Sequence, residues 1–305
     1  MRPQLVLVST NQADVDLYGK IAFSAGCTFA SVYTIEAVRR TLSTNREAVV
    51  VIESDGRVEV PTMVRAASAY LLPKQVFLVS SLMPTYRLKV SETVGGYFHR
   101  RSAESAVDVY SNVIGSALKK HSRVFESFSD SNRAIKISRV THKVAAVKAF
   151  TKYLEKAGFS GRLLGLVTQS VDELITNAIF DAPILRNGFR PLHSRPRHLE
   201  IQLDDDETIE MKLASNPKYV VVSVADQYGS FELDTFIRST LQSTTKSDAE
   251  VESSGLKAIY QTGISMSFNL NPQKKTEITL VIPRVSSYRE FKTGFRFLQV
   301  IEERT

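Results

Sequence analysis

Leu166-Val-Thr-Gln-Ser-Val-Asp-Glu-Leu-Ile-Thr-Asn-Ala-Ile-Phe-Asp181 is the stretch that decides how the C-terminal half of this chain is built. At about 100° per residue, Leu163, Val167, Val171, Leu174, Ala178 and Ile179 fall in one broad apolar stripe, which predicts a helix from Arg162 to Phe180 with one buried face. Glu173 and Asn177 lie four residues apart, stacked on the margin of that stripe. A carboxylate and an amide so placed suit a water-activating base and a metal ligand, or an ordinary solvent-facing pair. Asp181 ends the same run.

Working outward, Val140 to Ala157 carries apolar residues at helical spacing (Val144, Val147, Phe150, Leu154) and stops at Gly158. Downstream, Tyr219-Val-Val-Val-Ser-Val-Ala225 is a strand that ends in Asp226-Gln-Tyr-Gly-Ser-Phe231. An aspartate there, three residues before Gly229, can present a carboxylate into a pocket. Ser253-Ser-Gly-Leu-Lys-Ala-Ile259 has the form of a glycine turn opening a helix, whose free N–H groups suit anions. Lys275 to Pro283 alternates as a strand.

Upstream, short apolar runs alternate with helical patterns. Strand-like runs at Gln4–Val8, Cys27–Tyr33, Ala48–Ile52, Gln75–Val79 and Gly96–Phe98 are separated by helical segments at 13–25, 35–42 and 58–72, and a last helix spans about 103–120. Strands this apolar predict a doubly wound parallel five-stranded α/β sheet covered on both faces, with functional groups at the carboxyl ends of its strands.

The expected division is therefore a domain over 1–121, a polar linker over 122–138, a domain over 139–285 and a packing or dimerisation segment over 286–305, which contains Phe291, Phe295, Phe297 and Leu298. The length of 305 residues fits two domains. Composition is that of a folded globular chain, with 43% hydrophobic and 23% charged residues. No run reaches the ~18–20 apolar residues of a membrane span, and Leu5–Val8 is too short for an export signal, so a cytoplasmic protein is expected. Cys27 is the single cysteine, which excludes an intramolecular disulfide and a multi-cysteine zinc site. The net charge of +7 suits phosphorylated ligands, anionic lipid, nucleic acid or solubility alone. No recognition motif for nucleic acid is present, and nucleic acid is not an expected partner.

The N-terminal 121 residues resemble two-component receiver domains in degenerate form. Receivers carry an acidic pair after the first strand, but Ser9-Thr10-Asn11 stands there. Glu53 occupies the phosphoacceptor position, with Asp55 two residues on. Ser80 or Ser81 fits the hydroxyl position, and His99 or Arg100 stands at the lysine. The resemblance implies a pseudo-receiver that is not stably phosphorylated and works as a docking or dimerisation surface. Glu53 reads either as a mimic of the phosphorylated state or, the preferred alternative, as a tolerated surface residue.

Residues 139–283 resemble the GHKL ATPases, and their layout is closest to the anti-sigma-factor serine kinases. The match implies an α+β sandwich of helices on a mixed sheet, with ATP or ADP and Mg²⁺ as cofactors. Glu173-x-x-x-Asn177-Ala178 matches the N box, with Glu173 catalytic and Asn177 a Mg²⁺ ligand. Asp226 matches the aspartate that accepts from the adenine amino group, with Gly229 in the same box. Ser254, Gly255 and Leu256 match the glycine motif at the phosphates, and Thr276 the threonine that supports adenine. Asp181 and Lys257 join the candidate cofactor-binding set. Lys246 or Lys257 could meet a phosphate as a point charge, or be a solvated surface lysine.

The glycine boxes depart from the family pattern at Tyr228 and Lys257, and the segment 239–254 is Ser/Thr-rich where the family has a glycine-rich lid. His142, the one histidine in the leading helix, is followed by Lys143 and does not match a phosphoacceptor motif. The basic loop Arg186 to His198 reads as an anion contact or a solvated connector. Two functions are expected in competition. One is a nucleotide-binding signalling regulator of a protein partner, acting as a homodimer and in its enzyme form a serine kinase of a sigma-factor-type pathway. The other is an inactive scaffold.

Overall fold

A computed structural model describes residues 2–55, 59–81, 94–100, 105–119, 124–128, 133–183, 192–193, 196, 200–236 and 255–303. The protein is of the mixed α/β type and divides into two compact units. One runs to Ser127 and also takes in Gly294–Ile301; the other begins at Phe128, runs to Thr293, and includes residues from Glu302 onward.

In the first unit, β1 (Gln4–Val8), β2 (Thr28–Val32), β3 (Ala48–Glu53), β4 (Val76–Ser80) and β5 (Gly96–His99) form a parallel sheet in the order 2-1-3-4-5. That is the flavodoxin-like doubly wound order. The central β3 and β4 are buried along their whole length, as runs without alternation require when both faces are covered. Helix α1 (Gln12–Ser24) starts where the Asn11 side chain accepts from Ala13 N, and α2 (Ile35–Thr44) where Thr34 accepts from Ala37 N. Helices α3 (Val60–Ser68) and α4 (Ser105–Leu118) complete the layers, followed by the short α5 (Val124–Phe128). A sixth strand, β11 (Phe297–Glu302), pairs antiparallel with β5. It comes from the segment expected to pack or to dimerise, and Phe291, Phe295, Phe297 and Leu298 are all buried.

The second unit is a sheet backed by helices. Its strands are β6 (Arg133–Ile137), β7 (Ile209–Ser215), β8 (Tyr219–Asp226), β9 (Ser265–Asn271) and β10 (Lys275–Pro283), in the order 9-10-8-7-6. Every ladder among these described strands is antiparallel, where the resemblance implied a mixed sheet. The reason is local: β7–β8 and β9–β10 are hairpins closed by short turns at 216–218 and 272–274. Strand β6 lies inside the segment expected as linker, because Ile135 and Ile137 pair with Met211 and Ile209 of β7. Helices α6 (Val140–Lys156) and α7 (Gly161–Phe180) pack on each other, and α7 lies on β8 and β7. The apolar stripe of α7 is buried throughout, and α8 (Gly255–Thr262) packs beside it. A short α9 (Tyr288–Thr293) follows β10.

Candidate functional site

The second unit holds a cavity of about 660 Å³ between α7, the ends of β8 and β10, and the start of α8. Glu173, Asn177, Asp181, Asp226, Gly255 and Thr276, all candidates from the sequence, line it. They meet because Glu173, Asn177 and Asp181 are one helical turn apart on the margin of α7's buried stripe, while Asp226 and Thr276 are paired across β8 and β10.

Asp226 ends a fully buried strand and is 6% exposed. Its Oδ1 accepts from the backbone N–H groups of Tyr228 (2.9 Å) and Gly229 (3.2 Å). Burial pushes its carboxyl up to about 6, against the lowering effect of those two N–H groups and of Thr276 opposite. The Thr276 hydroxyl faces this carboxyl without meeting it in hydrogen-bond geometry. Although 3% exposed, its Oγ1 has no partner among the described residues. A buried donor left open on a cavity wall costs stability unless a ligand or water completes it.

On the opposite wall, Asn177 sits between two carboxylates. In the amide orientation that satisfies both neighbours, its Nδ2 donates to Asp181 Oδ2 (3.0 Å) and Glu173 Oε1 (3.1 Å). Asp181 Oδ1 in turn lies 2.8 Å from His193 Nδ1. Gly255, the first residue of α8, packs so closely on Glu173 that a Cβ would overlap its carboxyl group. Much of the remaining lining is apolar or aromatic, including Leu174, Val224, Phe231, Phe236 and Ile278, with His193, Ser230 and Thr235 beside them and a fourth carboxylate from Glu232. An apolar cavity with a few convergent polar groups is the usual form of a small-molecule site.

Other candidates fall elsewhere. Gly229 is not among the lining residues. Its φ of +60° and its contact with the Asn271–Lys274 turn, where a Cβ would strike backbone, give it a structural reason to be glycine. Lys257 lies on α8 and is likewise not among the residues lining the cavity. Ser254, Lys246, the Ser/Thr-rich 239–254 segment and most of the basic loop from Arg186 to His198 lie outside the described residues. Sequence reasoning missed Phe231 and Phe236, whose signal was their place just past the Asp226 turn. It also missed His193 as a partner for Asp181.

A second cluster sits at the carboxyl ends of the first unit's strands. Arg100 reaches Asp14 (2.7 Å), Glu53 (3.1 Å) and Asp55 (2.8 Å). Ser9 Oγ donates to Glu53, and Asp55 accepts from the hydroxyls of Ser80 (2.6 Å) and Ser81 (2.8 Å) and from Ser81 N. Both serines are thus hydroxyl partners of Asp55, and Arg100 is the cation of the cluster, while His99 Nδ1 lies 3.2 Å from the Arg100 carbonyl. Glu53 is 5% exposed, which corrects the surface reading: Ser9 and Arg100 hold its carboxylate in the cluster. Asp14, on the first turn of α1, supplies an acidic residue that Ser9-Thr10-Asn11 lacks.

Burial raises the Asp14 carboxyl in spite of Arg100. For Asp55 burial is outweighed by Ser80, Ser81 and Arg100, and its carboxyl lies below the ordinary value. Among the described residues, no group of three or more His, Cys, Asp or Glu is arranged to hold a metal ion.

The sequence matches no protein-family model, and no curated protein is similar to it. Among solved structures, a chain in the crystal structure of the SiaB–SiaC complex from Pseudomonas aeruginosa is similar over 48% of this chain and 88% of its own. Identity is 13% and the TM-score 0.29, a likeness too slight to carry over anything that complex does. Among the described residues no helix is long and apolar enough to cross a membrane.

Proposed function

We propose that the C-terminal unit binds an adenine nucleotide with Mg²⁺ in this cavity, and that occupancy controls a protein partner. The observation that carries the reading is the buried Asp226 carboxyl facing the cavity beside the open hydroxyl of Thr276. A carboxylate held there accepts from an exocyclic amine and rejects a base that presents a carbonyl in its place, which favours adenine over guanine. Asn177 is the group that would hold Mg²⁺, through its carbonyl oxygen rather than the amide nitrogen that faces Glu173 and Asp181. The ion supplies the positive charge that lets phosphates approach a wall bearing Glu173, Asp181, Asp226 and Glu232. Within that frame Glu173 is the base that would take a proton from an attacking hydroxyl in phosphoryl transfer to a protein serine.

The first unit works in this proposal as a receiver-like docking domain that is not phosphorylated, since Arg100, Ser80 and Ser81 already occupy both oxygens of Asp55. A second reading, a scaffold that holds its partner without nucleotide, is favoured by the close packing of Gly255 on Glu173, which fills the space beside the carboxylate.

A melting-temperature scan with ATP, ADP and GTP, each with and without Mg²⁺, separates the two. ATP and ADP are expected to raise Tm with Mg²⁺ present, by about 5–10 °C at a hundredfold excess over Kd, and GTP to leave it unmoved. No shift with any of them removes the nucleotide reading and leaves the scaffold. Any turnover of Mg-ATP is expected to vanish in Glu173→Ala and Asn177→Ala.

A further inference from the structure

The cavity has an aromatic wall that none of the sequence motifs anticipates. Phe231 lies on the turn that follows Asp226, and its ring stacks on that of Phe268 in β9, with centroids 5.2 Å apart and planes 17° from parallel. Phe268 is fully buried. Phe236 wedges against both, 4.9 Å from Phe268 and 6.0 Å from Phe231, and meets Tyr260 of α8 edge-on. Phe231 is therefore held by a packed aromatic cluster on the side of Phe268, while it and Phe236 line the cavity alongside Asp226 and Thr276. A ring already fixed by its neighbours loses little freedom when a flat ligand is laid against it.

We propose that Phe231 is the stacking platform of the site, so that a bound base extends the Phe268–Phe231 stack while its exocyclic amine meets Asp226. The proposal rests on the adenine-nucleotide reading and adds to it the surface that selects a flat heteroaromatic ring. Stacking does not depend on phosphate, so Phe231 acts on the base alone. Its loss therefore weakens adenosine and ATP by the same factor.

The chain contains no tryptophan, which makes Phe231→Trp a unique fluorescent reporter at this wall. Titration of the full chain with Mg-ATP, adenosine and Mg-pyrophosphate is the test, run on wild type, Phe231→Leu and Phe231→Trp. Phe231→Leu keeps an apolar contact with Phe268 but offers no ring. It is expected to melt within a few degrees of wild type and to bind ATP and adenosine about 10-fold or more weaker. Emission from Phe231→Trp is expected to be quenched by ATP and adenosine and unchanged by Mg-pyrophosphate.

The stacking role is overturned if a folded Phe231→Leu binds adenosine within twofold of wild type. Binding to Phe231→Trp with no change in emission overturns it as well. Should neither ATP nor adenosine bind wild type, the nucleotide reading itself fails and the stacking role with it, an outcome distinct from a defect confined to the Phe231 variants.

Discussion

Replacing Asp226 by Asn tests the electrostatic core of the site. The carboxyl is pushed from 3.8 to about 6 by burial at the end of β8. A shift of roughly two units corresponds to about 3 kcal/mol. The folded value lies above the unfolded one, so the folded chain binds the proton more tightly. The resulting stabilisation is fully present below about pH 4 and is lost as pH rises through 6. At neutral pH the buried charge is therefore a net cost, which Asn, unable to ionise, removes. Its amide oxygen still accepts from Tyr228 and Gly229, though more weakly than a carboxylate.

The net gain expected for Asp226→Asn at pH 7.5 is about 1–2 kcal/mol, or roughly 3–6 °C in Tm for a unit of this size. Calorimetric melts of both proteins from pH 4.5 to 8 should show the gap between them opening up to about pH 6 and levelling off above it. In the same variant the shift induced by Mg-ATP disappears, because the amide oxygen stays with Tyr228 and Gly229 and an NH2 donor then faces the exocyclic amine. A variant less stable than wild type at pH 7.5, or a Tm difference that does not change with pH, would refute the reasoning.

Gly229→Ala forces a side chain into a left-handed backbone and against the Asn271–Lys274 turn. A loss of about 2 kcal/mol or more is expected, read as a Tm lower by at least about 4 °C. Arg100→Ala leaves Asp14, Glu53 and Asp55 without their shared cation. Arg100 itself is 20% exposed, so the expected cost near neutral pH is about 2 kcal/mol rather than the larger value of a fully buried pair. The folded carboxyl of Asp55 lies below its ordinary value, so its stabilisation is present above the unfolded pKa and lost as pH falls. The gap between wild type and Arg100→Ala should accordingly close on acidification, as denaturant titrations at pH 7 and pH 4 would show. Incubation with a small-molecule phosphodonor and Mg²⁺ is expected to leave no phosphate adduct by intact mass, and an adduct on Asp55 would show that its oxygens are open.

Much of this architecture is visible in the chain because the buried strands are written in Val, Ile and Leu. Runs such as Val49–Ile52 and Val220–Val222 allow little besides a covered strand. Strand β9, Ser-Met-Ser-Phe-Asn-Leu-Asn, alternates as a strand does, but that alternation marks its serines as solvent-facing, and Ser265 and Ser267 are themselves buried. Strand β6 is short, largely exposed and basic, and β11 looks like an aromatic tail until β5 is there to pair with it. In the C-terminal unit the helical stripe placed Glu173 and Asn177 at the edge of a buried face, and strand-end logic placed Asp226. The contacts they make depend on which strand lies beside which, and spacing along the chain does not carry that. Asp14 shows the same limit. It lies one turn before Tyr18 on the buried face of α1, but an amphipathic pattern counts only apolar residues, and Asp14 is buried by virtue of Arg100, 86 positions away.

The strand from Phe297 to Glu302 has a consequence for how the protein is made. The N-terminal sheet is finished by residues near position 300, so during synthesis β5 must wait with one edge uncovered until nearly the whole second unit has left the ribosome. An open edge beside apolar strands invites pairing with other chains. A product stopped before Phe297 would retain every residue of both candidate sites and still be prone to aggregate. An attempt to express the N-terminal unit alone by cutting once near Ser127 would meet the same difficulty.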